Sequence, residues 1–313
     1  RIFTSRRLLQ TAFPLVLAVL PLLGLSGSRP AFFLCMALLG LSIAIVDVCM
    51  NTQALLLEIK HHGRYMGRLQ AGYSLGCILG ALIGSAFAAA GAGAFVNFLC
   101  FSLACAAGWL WSRRHLNDDI KRSDSGGARS GMPAFVYFCG LLEICAFAGE
   151  GSIGDWGSIL LHTVKGADEQ TAALSFGVTA LAMALVRLVS DDLRARLGDA
   201  RLLAAGALAA AAGLVIAATV SSPMLCLAGF FLAGCGIAPA VPVIMSRAGS
   251  LPGVDPGAAC SMVSTLGYGT LLFVPPLLGF VGDHAGLESA FLIPAGLCLC
   301  LAAGSRAFHA REG

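Results

Sequence analysis

Apolar runs long enough to span a bilayer recur along the whole chain, separated by short polar joints. Ten can be marked: 8–25, 31–56, 68–90, 93–112, 133–160, 170–190, 201–219, 223–246, 257–282 and 287–306. Each is close to the ~20 residues that a helix needs to cross hydrocarbon. The joints are stretches such as "LSGSRP", "EIKHHGR", "KGADEQ" and "SLPGVDPG". The runs do not alternate polar with apolar residues, which excludes a β-barrel. Backbone in lipid must satisfy its own hydrogen bonds, so the pattern predicts an all-α membrane protein of about ten transmembrane helices.

Composition removes the soluble alternative. The 313 residues are 58% hydrophobic and only 12% charged, against about 25% charged in ordinary soluble domains. The basic residues test the helix count. With the N-terminus in the cytoplasm, every Lys and Arg except Arg29 and Lys165 falls in an inside loop or at an inside helix end. The positive-inside rule thus favours this count and two cytoplasmic termini. The net charge of +3 is a topological signal and implies no nucleic-acid partner. The 12 cysteines form no CxxC pair and act as small apolar residues, so neither metal site, disulfide nor cofactor is expected. The opening "RIFTSRR" has no initiator Met and lacks the pattern of a cleavable signal peptide.

One joint is longer and more polar than the rest: "RRHLNDDIKRSDSGGARSG", residues 113–131. Its Gly/Ser content suits a flexible cytoplasmic linker. It divides a four-helix bundle, 1–112, from a six-helix bundle, 132–313, an unequal split for a carrier built of repeats. A weak repeat accounts for it. "LLGLSIAIV" at 38–46 resembles "LAGCGIAPA" at 232–240, and "SLG" at 74–76 resembles "TLG" at 265–267, at nearly equal offsets. Six-helix repeats are expected, the first lacking two helices.

Three stretches carry a family resemblance: "DVCMNTQALLLE", "EGSIGDWGSILL" and "GCGIAPAVPVIMSRAGSLPGVDPGA" continuing to "STLGYG". They resemble the fourth, seventh and tenth-to-eleventh helices of major facilitator superfamily transporters, in the bacterial branch near fucose-permease-like sugar–proton symporters. The resemblance runs from the third family helix to the twelfth. It implies two six-helix bundles around a central cavity, rocking between inward- and outward-open states. "SDDLRARLGDAR" keeps Asp191, Arg196 and Gly198 of the family's cytoplasmic signature. Ser190 stands where that signature has Gly, and Ala195 where it has a second acid, so a weakened gating charge network is expected. Gly72, Gly76, Gly80 and Gly84 form a four-residue stripe suited to close helix approach. The antiporter proline is missing from that helix, so drug export is not inferred.

Polar residues inside the spans are the candidate chemistry. Asp47 and Asn51 are four apart, hence on one helical face. A charge at mid-bilayer costs at least ~2.5 kcal/mol, and such residues face cavities or partners. The bland reading is a helix–helix hydrogen bond; the resemblance implies a cavity-lining acid followed by an amide. Glu143 and Glu150 share a face, while Asp155 is expected to point elsewhere. Glu150 is favoured for solute or proton coupling and Glu143 for a structural or proton-path role. Trp156 would stack on a sugar ring or sit in an aromatic belt. Tyr73 and Tyr268 occupy similar places in the two halves and are cavity candidates. Arg187, one turn before Asp191, reads as a gating salt bridge or a snorkelling side chain, with Arg196 beside it. His61 and His62 are read as solvated. "GEGSIG" at 149–154 matches a dinucleotide fingerprint, yet it interrupts a span where that motif needs a preceding strand.

The function expected is secondary active transport of a small polar solute, sugar-like by resemblance, by a monomer coupled to protons through Asp47 or Glu150. A ten-helix drug or metabolite exporter of five-plus-five repeats would need a break after the fifth helix. A non-transporting receptor is another possibility. An intramembrane enzyme would need a nucleophile with a base or a metal site, and the metal motif HExxH is absent.

Overall fold

The computed structural model describes residues 4–118 and 131–309. Most of the expected linker, with Lys121, Arg122 and Arg129, lies outside them, as do Arg1 and Arg311. The helices are α1 (Ser5–Gly24), α2 (Arg29–His61), α3 (Met66–Ala89), α4 (Ala94–Ser112), α5 (Ala134–Ile159), α6 (Glu169–Leu197), α7 (Asp199–Thr219), α8 (Pro223–Ile237), α9 (Ala240–Gly249), α10 (Pro256–Ala285), α11 (Leu287–Gly304) and the short α12 (Arg306–His309). Among the described residues nine helical runs are long and apolar enough to cross a membrane. With the 24-residue α3 they cover the ten expected spans.

Local chemistry sets the helix ends. Ser28, Asp168 and Asp255 accept from the backbone N–H three residues on, satisfying donors that a helix start leaves orphaned. Pro30 and Pro256 follow two of these caps, where a missing N–H costs nothing. The 33 residues of α2 extend about 50 Å at 1.5 Å each. That exceeds the hydrocarbon thickness, so one end projects beyond it and carries Glu58 and Lys60. His61 is the last residue of this helix. His62 ends it in the left-handed region at φ 49°.

The run expected at 223–246 is broken. α8 stops at Ile237, and α9 restarts at Ala240. Pro239 and Pro242 lack the N–H groups that would bond Cys235 and Ala238, so two carbonyls are released. Freed carbonyls are best satisfied inside the protein, and this is the most enclosed of the nine runs, 67% buried. α7 and α8 meet backbone to backbone, with Gly206 against Gly236 and Gly213 against Gly229. A Cβ on Gly206 would lie 2.5 Å from the Gly236 carbonyl oxygen. We expect Gly206→Ala to destabilise the protein by about 1–3 kcal/mol through forced helix separation, read as earlier thermal unfolding in detergent.

The stripe at Gly72, Gly76, Gly80 and Gly84 behaves otherwise than expected. A Cβ on the first three would meet nothing within 4 Å, and on Gly84 only Asn97 at 3.7 Å. Close approach on this helix occurs at Gly67, where a Cβ would run into Ser190 Oγ. Helical spacing specifies a face and leaves its partner open.

α5 packs on α10 and α11, α7 on α8 and α11, and α6 on α8; α1 packs on α2 and α4. α3 lies mainly against α6, and α2 reaches α9 and α10. The buried core therefore runs through α5–α11, extended by Ala54, Leu55 and Met66. Lys165, read as an outside loop residue, has a buried side chain. Its Nζ donates to the Ala218 carbonyl at 2.9 Å and pairs with Glu288, tying the ends of α5, α7 and α11 together.

Candidate functional site: a polar cavity above an ionic tie

A cavity of about 330 Å³ lies between α2 and α3 on one side and α5, α6 and α10 on the other. Asp47, Asn51, Gln70, Tyr73, Glu143, Glu150, Asp155, Arg187, Ser264 and Tyr268 all line it. Asn51 Nδ2 donates to Asp47 Oδ2 at 3.2 Å, and Gln70 Nε2 donates to Asn51 Oδ1 at 2.8 Å. This chain ties α3 to α2, and Tyr268 of α10 lines the same cavity as Asp47. The polar face of the α2 stretch is thus part of one network with Gln70 of α3.

Arg187 departs from expectation. Instead of pairing with Asp191, its side chain is buried in the cavity wall. Nη1 donates to Ser74 Oγ at 2.8 Å, Nε to the Ala238 carbonyl at 3.4 Å, and Nη2 stands 4.0 Å from Glu150. That carbonyl is the one freed by Pro242. One guanidinium thereby joins α3, α6, the α8–α9 break and α5, which suits its planar fork of donors. Asp155, expected to point elsewhere, lines the same cavity; the glycines at 151 and 154 leave room beside it. Trp156 is absent from the lining. Its ring packs on Gly279 of α10 and the apolar core, with Nε1 unpartnered among the described residues. "GYSLG" at 72–76 has the spacing of a serine nucleophile elbow. It is mid-helix, however, and Ser74 is engaged by Arg187.

Beyond the cavity, where α2 ends and α3 begins, the charges form a closed tie. Arg194 Nε donates to Asp199 Oδ1 at 2.9 Å and Nη2 to Ser246 Oγ at 2.9 Å. Its Nη1 lies 3.5 Å from Glu58 and 3.8 Å from Asp191. Ser246 Oγ donates to Glu58 Oε2 at 2.5 Å, and Arg247 pairs with Asp199 at 2.6 Å. Two carboxylates cap α3 together. Glu58 accepts from Tyr65 N and Met66 N, and Asp191 from Gly67 N and Arg68 N. Carboxylates at a helix N-terminus also favour its dipole. The weakening expected from Ser190 and Ala195 does not occur, because Glu58 and Asp199 supply the acids. Arg196 is exposed and stands apart from this tie.

Sequence reasoning missed Glu58, Gln70, Ser74, Arg194, Asp199 and Ser264. Gln70 and Ser74 carried a usable signal, four apart inside an apolar run. Glu58, Arg194 and Asp199 read as ordinary loop charges.

Helical bundles meeting at a polar cavity, with one end held by buried ion pairs, define an integral membrane carrier. The chain belongs to the Major Facilitator Superfamily, whose profile it matches over residues 2–255 and again over 166–312. It is 31% identical over 294 residues to an uncharacterized MFS-type transporter of Yersinia pestis, covering 92% of this chain and 75% of that one. It is 29% identical to the membrane protein MosC of Rhizobium meliloti, over 96% of this chain and 74% of MosC. Its fold is similar to that of the transporter FucP in the outward conformation, TM-score 0.79 at 18% identity, over 97% of this chain and 83% of FucP. The proton:xylose symporter XylE has TM-score 0.76 at 13% identity, over 97% and 80%. This membership replaces the five-plus-five exporter arrangement.

Proposed function

We propose that the chain moves a small polar, sugar-like solute through the bacterial inner membrane by alternating access, coupled to protons. One observation carries the reading. The cavity is lined from both sides by hydrogen-bonding groups, four carboxyl groups and one guanidinium, in a volume suited to a small ligand. In this reading residues 1–112 and 132–313 are the two bundles that rock, 113–131 link them, both termini are cytoplasmic, and the carrier works as a monomer. The ionic tie is then the inner gate. The distribution of basic residues supports the orientation, and the fold shared with FucP and XylE supports the sugar-like solute. The test is uptake of fucose and xylose by proteoliposomes with and without an imposed pH gradient. Accumulation that follows the gradient is expected; uptake indifferent to it would overturn the coupling, and no uptake of either sugar the solute class.

Asn51→Ala is expected to weaken solute affinity by about tenfold, the equivalent of 1.4 kcal/mol. The amide offers both donor and acceptor and orients Asp47 and Gln70. Binding measured by isothermal calorimetry checks it, and unchanged affinity would assign Asn51 to helix packing alone.

A further inference from the structure

Four carboxyl groups line the cavity, and three have an evident way to be charged. Asp47 receives Asn51 Nδ2 and faces the Tyr268 hydroxyl. Glu150 stands beside Arg187. Asp155 is exposed. Glu143 differs: it is 0% exposed, and neither carboxyl oxygen has a hydrogen-bond partner among the described residues. A carboxylate buried with no hydrogen bond to its oxygens is costly, and such a group takes up a proton instead.

The enclosure is specific. Gly267 of α10 lies so close that a Cβ there would come 2.5 Å from Glu143 Cγ. Phe147, one turn along α5, covers the same place and stacks on Tyr268 with centroids 5.3 Å apart and planes 11° from parallel. Tyr268 in turn lines the cavity opposite Asp47 of α2, and α2 packs on α10. Whatever separates α2 from α10 therefore moves the tyrosine that helps close the slot over Glu143. Ser264, one turn earlier on α10, lines the cavity with a buried hydroxyl that has no partner among the described residues. It is ready to hydrogen-bond a carboxylate when the slot opens.

We propose that Glu143 is the carboxyl that carries the coupling proton, occluded in this conformation behind the Phe147–Tyr268 pair. This rests on the proton-coupled reading above and departs from the expectation that Asp47 or Glu150 carries it. The proton arrives through the cavity, stays on Glu143 while the slot is shut, and leaves to water on the other side once α2 and α10 part. The charged groups facing Glu143 are Asp47 of α2, Glu150 of its own helix and Arg187 of α6, with Tyr268 of α10. Two of these are acids, and the single cation is engaged by Glu150 and Ser74.

Infrared spectroscopy of the purified carrier labelled with ¹³C-glutamate tests this without knowledge of the solute. A carbonyl stretch of a glutamic acid free of hydrogen bonds is expected at neutral pH, absent from Glu143→Gln and shifted to a hydrated position in Phe147→Ala. In proteoliposomes, Glu143→Gln should exchange fucose or xylose across the membrane yet accumulate neither above the level reached without a gradient. No such band in the parent protein would overturn the proposal, as would gradient-driven accumulation by Glu143→Gln. If the parent accumulates neither sugar in response to a pH gradient, the coupled-sugar reading fails, and the infrared band alone decides whether Glu143 holds a proton.

Discussion

Arg194→Ala is expected to destabilise the protein by about 3–5 kcal/mol, the usual cost of removing one partner from a buried ion pair. The size follows from what is left behind. Glu58, Asp191 and Asp199 all turn their carboxylates toward this guanidinium, and Glu58, Asp191 and Asp199 are nearly fully buried. Two of them also cap α3, so the start of that helix should loosen with them. Arg194→Lys should recover only part of the loss, because an ammonium cannot reproduce the fork of donors. Thermal unfolding in detergent measures both variants. An unchanged unfolding temperature in Arg194→Ala would mean that the three acids find other partners and that the tie does not hold this end shut.

Arg187→Met is expected to abolish transport and to lower stability as well. The side chain it removes satisfies Ser74 Oγ, the Ala238 carbonyl and the charge of Glu150. A buried acceptor left unsatisfied costs about 1–3 kcal/mol, and more when it is charged. Adding Glu150→Gln should restore much of the stability, since the unpaired charge is gone, while transport stays absent. A double-mutant cycle on unfolding temperature and initial uptake rate separates the two effects. Additive losses in stability would show that Arg187 and Glu150 do not act as a pair across their 4.0 Å gap.

Both arguments turn on side chains that a linear reading misassigned. Arg187 and Asp191 are one turn apart and suggested a local pair, but Arg187 turns to Ser74 and Asp191 to the start of α3. Arg194 counted only as an inside charge. Glu143 and Glu150 shared a face by spacing, and the cavity contains both. The preference for Glu150 nevertheless rested on motif resemblance, which cannot tell a carboxylate beside a guanidinium from one sealed under Phe147.

The spans, the all-helical class and the candidate acids were legible from the sequence alone. Their causes are local: lipid makes each run satisfy its own hydrogen bonds, and a charge inside a run stands out because it is costly there. The break in the 223–246 run came from the same local chemistry, since Pro239 and Pro242 remove donors wherever they stand. Tertiary structure alone decided which charges are paired. Ser246 and Glu58 are 188 residues apart, Gly67 and Asp191 are 124 apart, and no periodicity along a chain encodes such a meeting. A helix specifies the face on which a side chain sits, but packing specifies what that face meets. For Glu143 packing supplied no hydrogen-bond donor among the described residues, and that is a property of the assembled helices.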